Sequence, residues 1–177
     1  LDRVREESVT PQKRWAVERE SDATHTEIQG WLRDLGKSLG YGVWIASNDQ
    51  SRNYAGGRLG EGCLTQLPPS AQPGLASVRL IDAIWVEADG SKIAAAFEVE
   101  HSTSIYSGIV RMLDLALGAG LDTGVLMFLV APDARREDVR LQLRRPAFSR
   151  VAELGIRYLS YSELKAHREA IGRFGTG

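Results

Sequence analysis

The chain lacks the raw material for several kinds of protein. It has one cysteine, Cys63, among 177 residues. That excludes an intrachain disulfide framework and a cysteine-rich zinc site. No apolar run approaches the ~20 residues that a membrane helix needs. The longest, Val125 to Ala131, has the length of a buried strand. The first residue is Leu1, and no signal-peptide pattern follows it. We therefore expect a piece of a longer cytoplasmic protein, with a further domain on its N-terminal side. Net charge is nearly absent too: 22 Lys and Arg face 23 Asp and Glu, for a formal charge of -1. This excludes a uniformly basic nucleic-acid coat and leaves room for a local basic patch. Lysine is scarce, 4 against 18 arginines. The planar fork of arginine suits phosphate, although a GC-rich genome produces the same bias.

What is present is globular. Hydrophobic residues make up 43% and charged residues 25%, which excludes wholesale disorder. The length suits one domain. Residues 1–22 are polar and mixed in charge and read as a helical arm or linker, leaving residues 23–177 as the domain. From Thr24 the residues Ile28, Trp31, Leu32, Leu35 and Leu39 make an apolar stripe at helical spacing. Gly42 to Ser47 reads as a strand. Residues 48–77, punctuated by glycine and proline, read as a long loop, the kind that is functional or mobile. A strand over Val78 to Val86, a turn, a strand over Lys92 to Glu100 and a helix over Ser104 to Gly118 follow. The stripe of that helix is Ile105, Ile109, Met112, Leu113 and Ala116. Gly124 to Ala131 reads as a buried strand. Asp133 reads as the cap of an arginine-rich helix ending before Pro146. A short helical piece over 147–154, a strand over Ile156 to Leu159 and a helix capped by Ser162 complete the chain. The fold class is α/β, with the order αβββαβ and further elements after it.

Acids stand out in the middle of the chain. Side chains alternate along a strand, so Ile93, Ala95, Phe97 and Val99 share one face, while Ala94, Ala96, Glu98 and Glu100 share the other. Acids at the end of such a strand are costly to bury unless they are paired or metal-bound. Asp82 sits between Leu80 and Ile84 on the preceding strand. A three-residue loop, Ala88-Asp89-Gly90, pairs Asp82 with Ala96 and sets it diagonal to Glu98 on one face. Oxygen donors without a Cys or His cluster favour Mg²⁺ or Mn²⁺ over zinc. A structural ion pair with arginine, or a solvated strand end, is the plainer reading. Glu27 leans toward the same region, yet Thr24-x-x-Glu27 also reads as a capping box.

These residues resemble the PD-(D/E)XK nuclease superfamily, which includes restriction endonucleases. The likeness covers Thr24 to Ala131: a helix with an early acid, a three-strand meander with Asp on its second strand, and an acid-x-acid pair before a helix. The run Phe97-Glu98-Val99-Glu100-His101-Ser102-Thr103-Ser104-Ile105-Tyr106-Ser107-Gly108 is also similar to a group of restriction-endonuclease-like bacterial proteins. The resemblance implies a restriction-endonuclease-like core with a mixed central sheet flanked by helices. It implies Mg²⁺ or Mn²⁺ held by Asp82 and Glu98 with the carbonyl of Val99, and Glu27 as the acid of the first helix. Glu100 stands at the motif's lysine position. Some restriction enzymes carry Glu there, as a second metal ligand or a base, and an inactive copy would carry it equally. Ile81 replaces the proline of the motif name.

Six arginines, 135, 136, 140, 144, 145 and 150, lie within sixteen residues. Arg136, Arg140 and Arg144 share a helix face, suited to phosphates or to a solvated surface with Arg near the helix end. Arg111 is placed to contact a phosphate or an acid, Asp114 being the nearest in sequence. His25 reads as a surface or cap residue, and alternation turns His101 away from the glutamates. Together these imply a metal-dependent DNA endonuclease of restriction or defence type, working as a homodimer or as two chains meeting on DNA. The alternative is an inactive nuclease-fold module that binds nucleic acid or a partner protein. A carboxylate-pair glycosidase is a third reading without a sugar platform to support it.

Overall fold

A computed structural model describes residues 11–72, 74–101, 105–119, 124–148 and 154–174. Ser102, Ser104, Arg150 and most of the helical piece expected over 147–154 lie outside the described residues. The elements are helix α1 (Pro11–Ser38), strands β1 (Gly42–Ile45), β2 (Asn53–Tyr54) and β3 (Gly57–Arg58), and a short helix α2 (Leu75–Val78). They continue with β4 (Ala83–Val86), β5 (Ile93–Val99), α3 (Ile105–Ala119), β6 (Leu126–Ala131), α4 (Arg136–Leu143), β7 (Arg157–Ser160) and α5 (Tyr161–Phe174). Five strands form one sheet in the order β1-β4-β5-β6-β7. Its β1–β4 and β4–β5 pairs are antiparallel, while β5–β6 and β6–β7 are parallel. The expected αβββαβ core is therefore present as α1, β1, β4, β5, α3 and β6, with helices on both faces of a mixed sheet.

Each face is covered by a helix stripe. On one, Ile105, Ile109, Met112, Leu115 and Ala116 of α3 pack on Ile84, Val86, Ile93, Ala96, Met127 and Leu129. On the other, Ile28, Leu32 and Leu35 of α1 and Leu164 of α5 pack on Val43, Ile45, Ala83, Ala95, Phe97, Val99 and Val130. Leu115, absent from the expected stripe, is fully buried, because α2 and the turn at Pro69–Ala71 pack against α3 beside the sheet. Among the described residues no helix is long and apolar enough to cross a membrane.

Several boundaries differ from expectation. Helix α1 is already formed at Pro11 and passes through Thr24, so Thr24-x-x-Glu27 is no capping box. An apolar stripe marks where a helix packs, not where it starts. Residues 48–77 hold structure: Ala55 and Gly56, with φ of 49° and 82°, turn the β2–β3 hairpin, as a two-residue loop of that hand requires. The expected strand over Val78 to Val86 is a helical turn followed by a four-residue strand. Asp133 does not cap α4; its carboxylate instead accepts from the backbone N–H (3.3 Å) and hydroxyl of Ser162, in the first turn of α5. Helix α5 starts on a reciprocal capping box. Ser160 N–H donates to Glu163 Oε2 at 2.9 Å, and Glu163 N–H donates to Ser160 Oγ at 3.1 Å. Its cap is Ser160, not Ser162.

The β4–β5 hairpin contains the correction that matters most. Glu87 N–H donates to Lys92 O at 2.9 Å, closing a four-residue loop instead of three. Further along, the pairing passes from Val86 opposite Ile93 to Trp85 opposite Ala95, leaving Ala94 as a bulge. Each change adds one residue to the β5 side. One slip alone exchanges the faces of the strand, and two restore them. Ile93 accordingly packs on the α3 side and Ala95 on the α1 side, contrary to simple alternation. Ala83 pairs with Phe97; continuing that register sets Asp82 opposite Glu98, directly rather than diagonally.

Candidate active site

Asp82 closes the last turn before β4, where its own carbonyl accepts the N–H of Ala46 at 3.3 Å. Its carboxylate stands in for a ladder partner: Oδ2 accepts the backbone N–H of Val99 at 2.7 Å. That bond holds the Asp82 carboxylate beside the residue between Glu98 and Glu100. Beyond Val99, Glu100 N–H donates to Val130 O at 2.8 Å, which fixes the end of β5 against β6. All three acids are withdrawn from water, Asp82 6%, Glu98 0% and Glu100 5% exposed.

The α3 helix closes over this end of the sheet. Arg111 donates from Nε to Glu98 Oε1 at 2.7 Å and from a terminal nitrogen to Oε2 at 2.6 Å, a fork-to-fork pair. Gly108, one turn earlier, allows the approach. A Cβ there would lie 3.0 Å from Glu100 Oε1 and 3.2 Å from both Cβ and Cγ of Glu98.

The first helix supplies His25 and Gln29, one turn apart on one side. His25 Nε2 lies 3.0 Å from Asp82 Oδ1. Gln29, itself fully buried, donates from Nε2 to Asp49 Oδ2 at 3.0 Å, to Asp82 Oδ1 at 3.3 Å and to Asp82 O at 3.3 Å. Asp49, just after β1, is buried and faces Arg52 Nε at 2.8 Å.

Electrostatics follow from this crowding. Burial first, and then the charge of Asp82, push Glu98 well above the ordinary carboxylate range, with Arg111 working against both. The same two causes raise Glu100 to about 7. Glu98 in turn holds Arg111 more firmly protonated than a free guanidinium. Burial lowers the His25 pKa, but the hydrogen bond and charge of Asp82 outweigh it and the net direction is upward. Buried acids that raise one another are the donor set whose protonation a divalent cation reverses. Among the described residues, the ligand atoms that lie within 4.8 Å of one another and fit such an ion are those of His25, Asp49 and Asp82, whereas both oxygens of Glu98 are held by Arg111.

The expected residues do not all meet here. Asp82, Glu98, Val99, Glu100 and Arg111 do. Glu27 is exposed and lines a cleft with Thr26, Trp31, Arg52, Tyr54 and Arg168. His101 stacks on Tyr161, with Nδ1 3.4 Å from its hydroxyl. In α4, Arg136 lies 3.8 Å from Glu163 and stacks over Tyr158, Arg140 lies 3.4 Å from Glu137, and Arg144 is exposed at the C-cap. Sequence reasoning missed Gln29, Asp49 and Gly108, and it set His25 aside. The spacing of His25 and Gln29 by four residues carries the signal, since two polar side chains on one helix row share a neighbour.

The likeness to known proteins agrees with this core. Residues 7–172 match the family described as the type II restriction enzyme NmeDI C-terminal domain. The type II restriction enzyme NmeDI of Neisseria meningitidis serogroup C is 30% identical over 148 residues, which are 80% of this chain and 41% of that enzyme. The chain thus spans about two-fifths of the length of this curated relative. No solved structure matches significantly. The match over residues 7–172 shows that the chain belongs to the family of the type II restriction enzyme NmeDI C-terminal domain.

Proposed function

We propose that this domain is a divalent-metal-dependent endonuclease that hydrolyses DNA phosphodiester bonds in restriction or defence, as a PD-(D/E)XK variant with Glu100 at the lysine position. The observation that carries this reading is the 2.7 Å bond from Val99 N–H to Asp82 Oδ2, which draws three buried acids from two strands to one sheet end. Asp82 and Glu98, with the carbonyl of Val99, would hold Mg²⁺ or Mn²⁺. The ion, when bound, neutralises charge on the phosphate and acidifies water. Glu100, raised to about 7, takes a proton from the attacking water at a carboxylate oxygen, as a base suited to neutral pH. Arg111 orients Glu98. The exposed arginines 136, 140 and 144 serve phosphate contacts that position DNA without reading its bases. Residues 23–177 would form the nuclease domain and 1–22 a helical arm. A double-strand cut would come from two copies meeting on DNA, and the cytoplasm is where this substrate is met.

The second reading, an inactive module that binds DNA or a partner protein, is favoured by one observation. Arg111 occupies both oxygens of Glu98, the acid that the metal would need. Plasmid incubated with the protein and Mg²⁺ or Mn²⁺, beside Asp82→Ala and Glu98→Ala, separates the two. The nuclease reading expects cleavage by the unmodified protein and none by either variant. Cleavage unchanged in both variants overturns the site, and no cleavage of varied DNA favours the binding module.

A further inference from the structure

The β2–β3 hairpin stands beside the acid cluster, and the proposed chemistry makes no use of it. Its root is tied to that cluster. Arg52 Nε lies 2.8 Å from Asp49 Oδ1, and Gln29 Nε2 donates to Asp49 Oδ2 and Asp82 Oδ1 at 3.0 and 3.3 Å. Its inner face is fixed to α1. A Cβ on Gly30 would collide with the Tyr54 ring, and the Tyr54 hydroxyl donates to Asp34 at 3.0 Å. Arg33 donates to the carbonyls of Arg58 and Leu59 at 3.3 and 3.1 Å, and Leu59 has no exposed surface. The hairpin is thus a projection whose position relative to Asp82 is set by the fold.

Its outer face is uncommitted. Asn53 pairs directly with Arg58, and Tyr54 with Gly57. Directly opposite residues share a face and successive ones alternate, so Asn53 and Arg58 point away from α1. Both are exposed, and among the described residues neither side chain makes a hydrogen bond or an ion pair. The tip, Ala55-Gly56, is small and exposed. Asn53 borders two hollows of about 780 and 620 Å³, so the hairpin is a ridge between them. No large apolar side chain of residues 48–62 is exposed, which leaves a protein partner without the aromatic and apolar anchors such contacts centre on. Glu61 lines the same hollow as Arg58. A carboxylate there repels phosphate, whereas base edges offer donors and acceptors together.

We propose that the β2–β3 hairpin enters the major groove of DNA beside the cut, where Arg58 reads a guanine and Asn53 a neighbouring adenine. A two-stranded ribbon fits that groove. The fork of Arg58 matches guanine O6 and N7, and the amide of Asn53 matches adenine N6 and N7. The arginines of α4, in the reading above, hold phosphates and carry no sequence information. The inference rests on the reading of this domain as one that acts on DNA, and it adds the residues that give sequence preference.

The test uses the full chain in EDTA, so that binding is read without cleavage. Selection from a random duplex library should enrich a motif containing guanine and adenine. Each motif guanine is then replaced in turn by deazaguanine, which lacks N7. At one of them the unmodified protein should lose about tenfold in affinity. Arg58→Ala should lose a similar factor on the natural motif and be indifferent to that replacement. Arg58→Lys keeps the charge without the fork, so it should hold random DNA within about threefold of the unmodified protein and still lose the guanine preference. Asn53→Ala should lose preference at an adenine alone. A library that yields no motif overturns the proposal, as does a deazaguanine penalty that persists in both Arg58 variants. Arg58-dependent selectivity without cleavage in Mg²⁺ supports the hairpin while sinking the nuclease reading. Cleavage by a protein that shows no guanine preference does the reverse.

Discussion

Arg111 and Glu98 form a two-bond pair, at 2.7 and 2.6 Å, in which the glutamate has no exposed surface and the arginine side chain keeps 24% of its own. The pair joins the middle of α3 to the end of β5. Removing the arginine leaves a buried acid beside Asp82 with its main counter-charge gone.

Arg111→Ala should therefore destabilise the domain by about 3 kcal/mol, read as a lower urea midpoint at unchanged slope. Adding Glu98→Gln should cost less than the sum of the two single changes, with a coupling of about 1–3 kcal/mol. Additive losses would mean that the two side chains do not act as a pair.

Gly108→Ala probes the closeness of α3 to the acids. Alanine in a helix interior is normally worth about 1 kcal/mol over glycine. Here the new Cβ meets Glu98 Cβ and Cγ at 3.2 Å, and Arg111 keeps that glutamate from moving aside. We expect no gain, and a loss of about 1 kcal/mol. Gly172 in α5, whose added Cβ meets nothing within 4 Å, is the control. Gly172→Ala should raise the melting temperature, and a rise of equal size for Gly108→Ala would contradict the crowding.

Gly36 lets α1 lie against the sheet. A Cβ there would sit 2.5 Å from Trp85 Nε1, which donates to Leu32 O at 3.0 Å. Gly36→Ala must displace the indole and break that bond, costing about 2 kcal/mol. Chemical denaturation measures the loss, and Trp85→Phe in the same background should reduce it.

The capping box of α5 gives a pH dependence. The backbone N–H of Ser160, then its hydroxyl, hold Glu163 below its ordinary 4.5. A carboxylate with a depressed folded pKa stabilises above its unfolded value, and that contribution disappears as pH falls through the folded value. The melting temperature should drop as pH falls below about 4.5, and Glu163→Gln should flatten that part of the curve. An identical profile in the variant would show that the cap carries no protonation-linked stability.

Much of this was decided along the chain itself. Alternation over Phe97 to Glu100 sends both glutamates to one side whatever surrounds them, because pleating has a period of two. The unbroken apolar run before Ala131 marks a buried central strand, and the order of helices and strands marks an α/β core. These are local properties, written in spacing. Tertiary structure decided which groups meet. The bulge at Ala94 and the longer loop cancel each other's effect on facing and bring Asp82 level with Glu98, an outcome of packing on both faces that the turn residues do not encode. Arg111 takes Glu98, 13 positions away, over Asp114 three positions on. Burial makes the difference, since an acid inside the protein gains far more from a counter-charge than one in water. His25, Gln29 and Asp49 acquire a common neighbour only when α1 is laid across the end of β4. Nothing in the spacing of three distant segments states that contact.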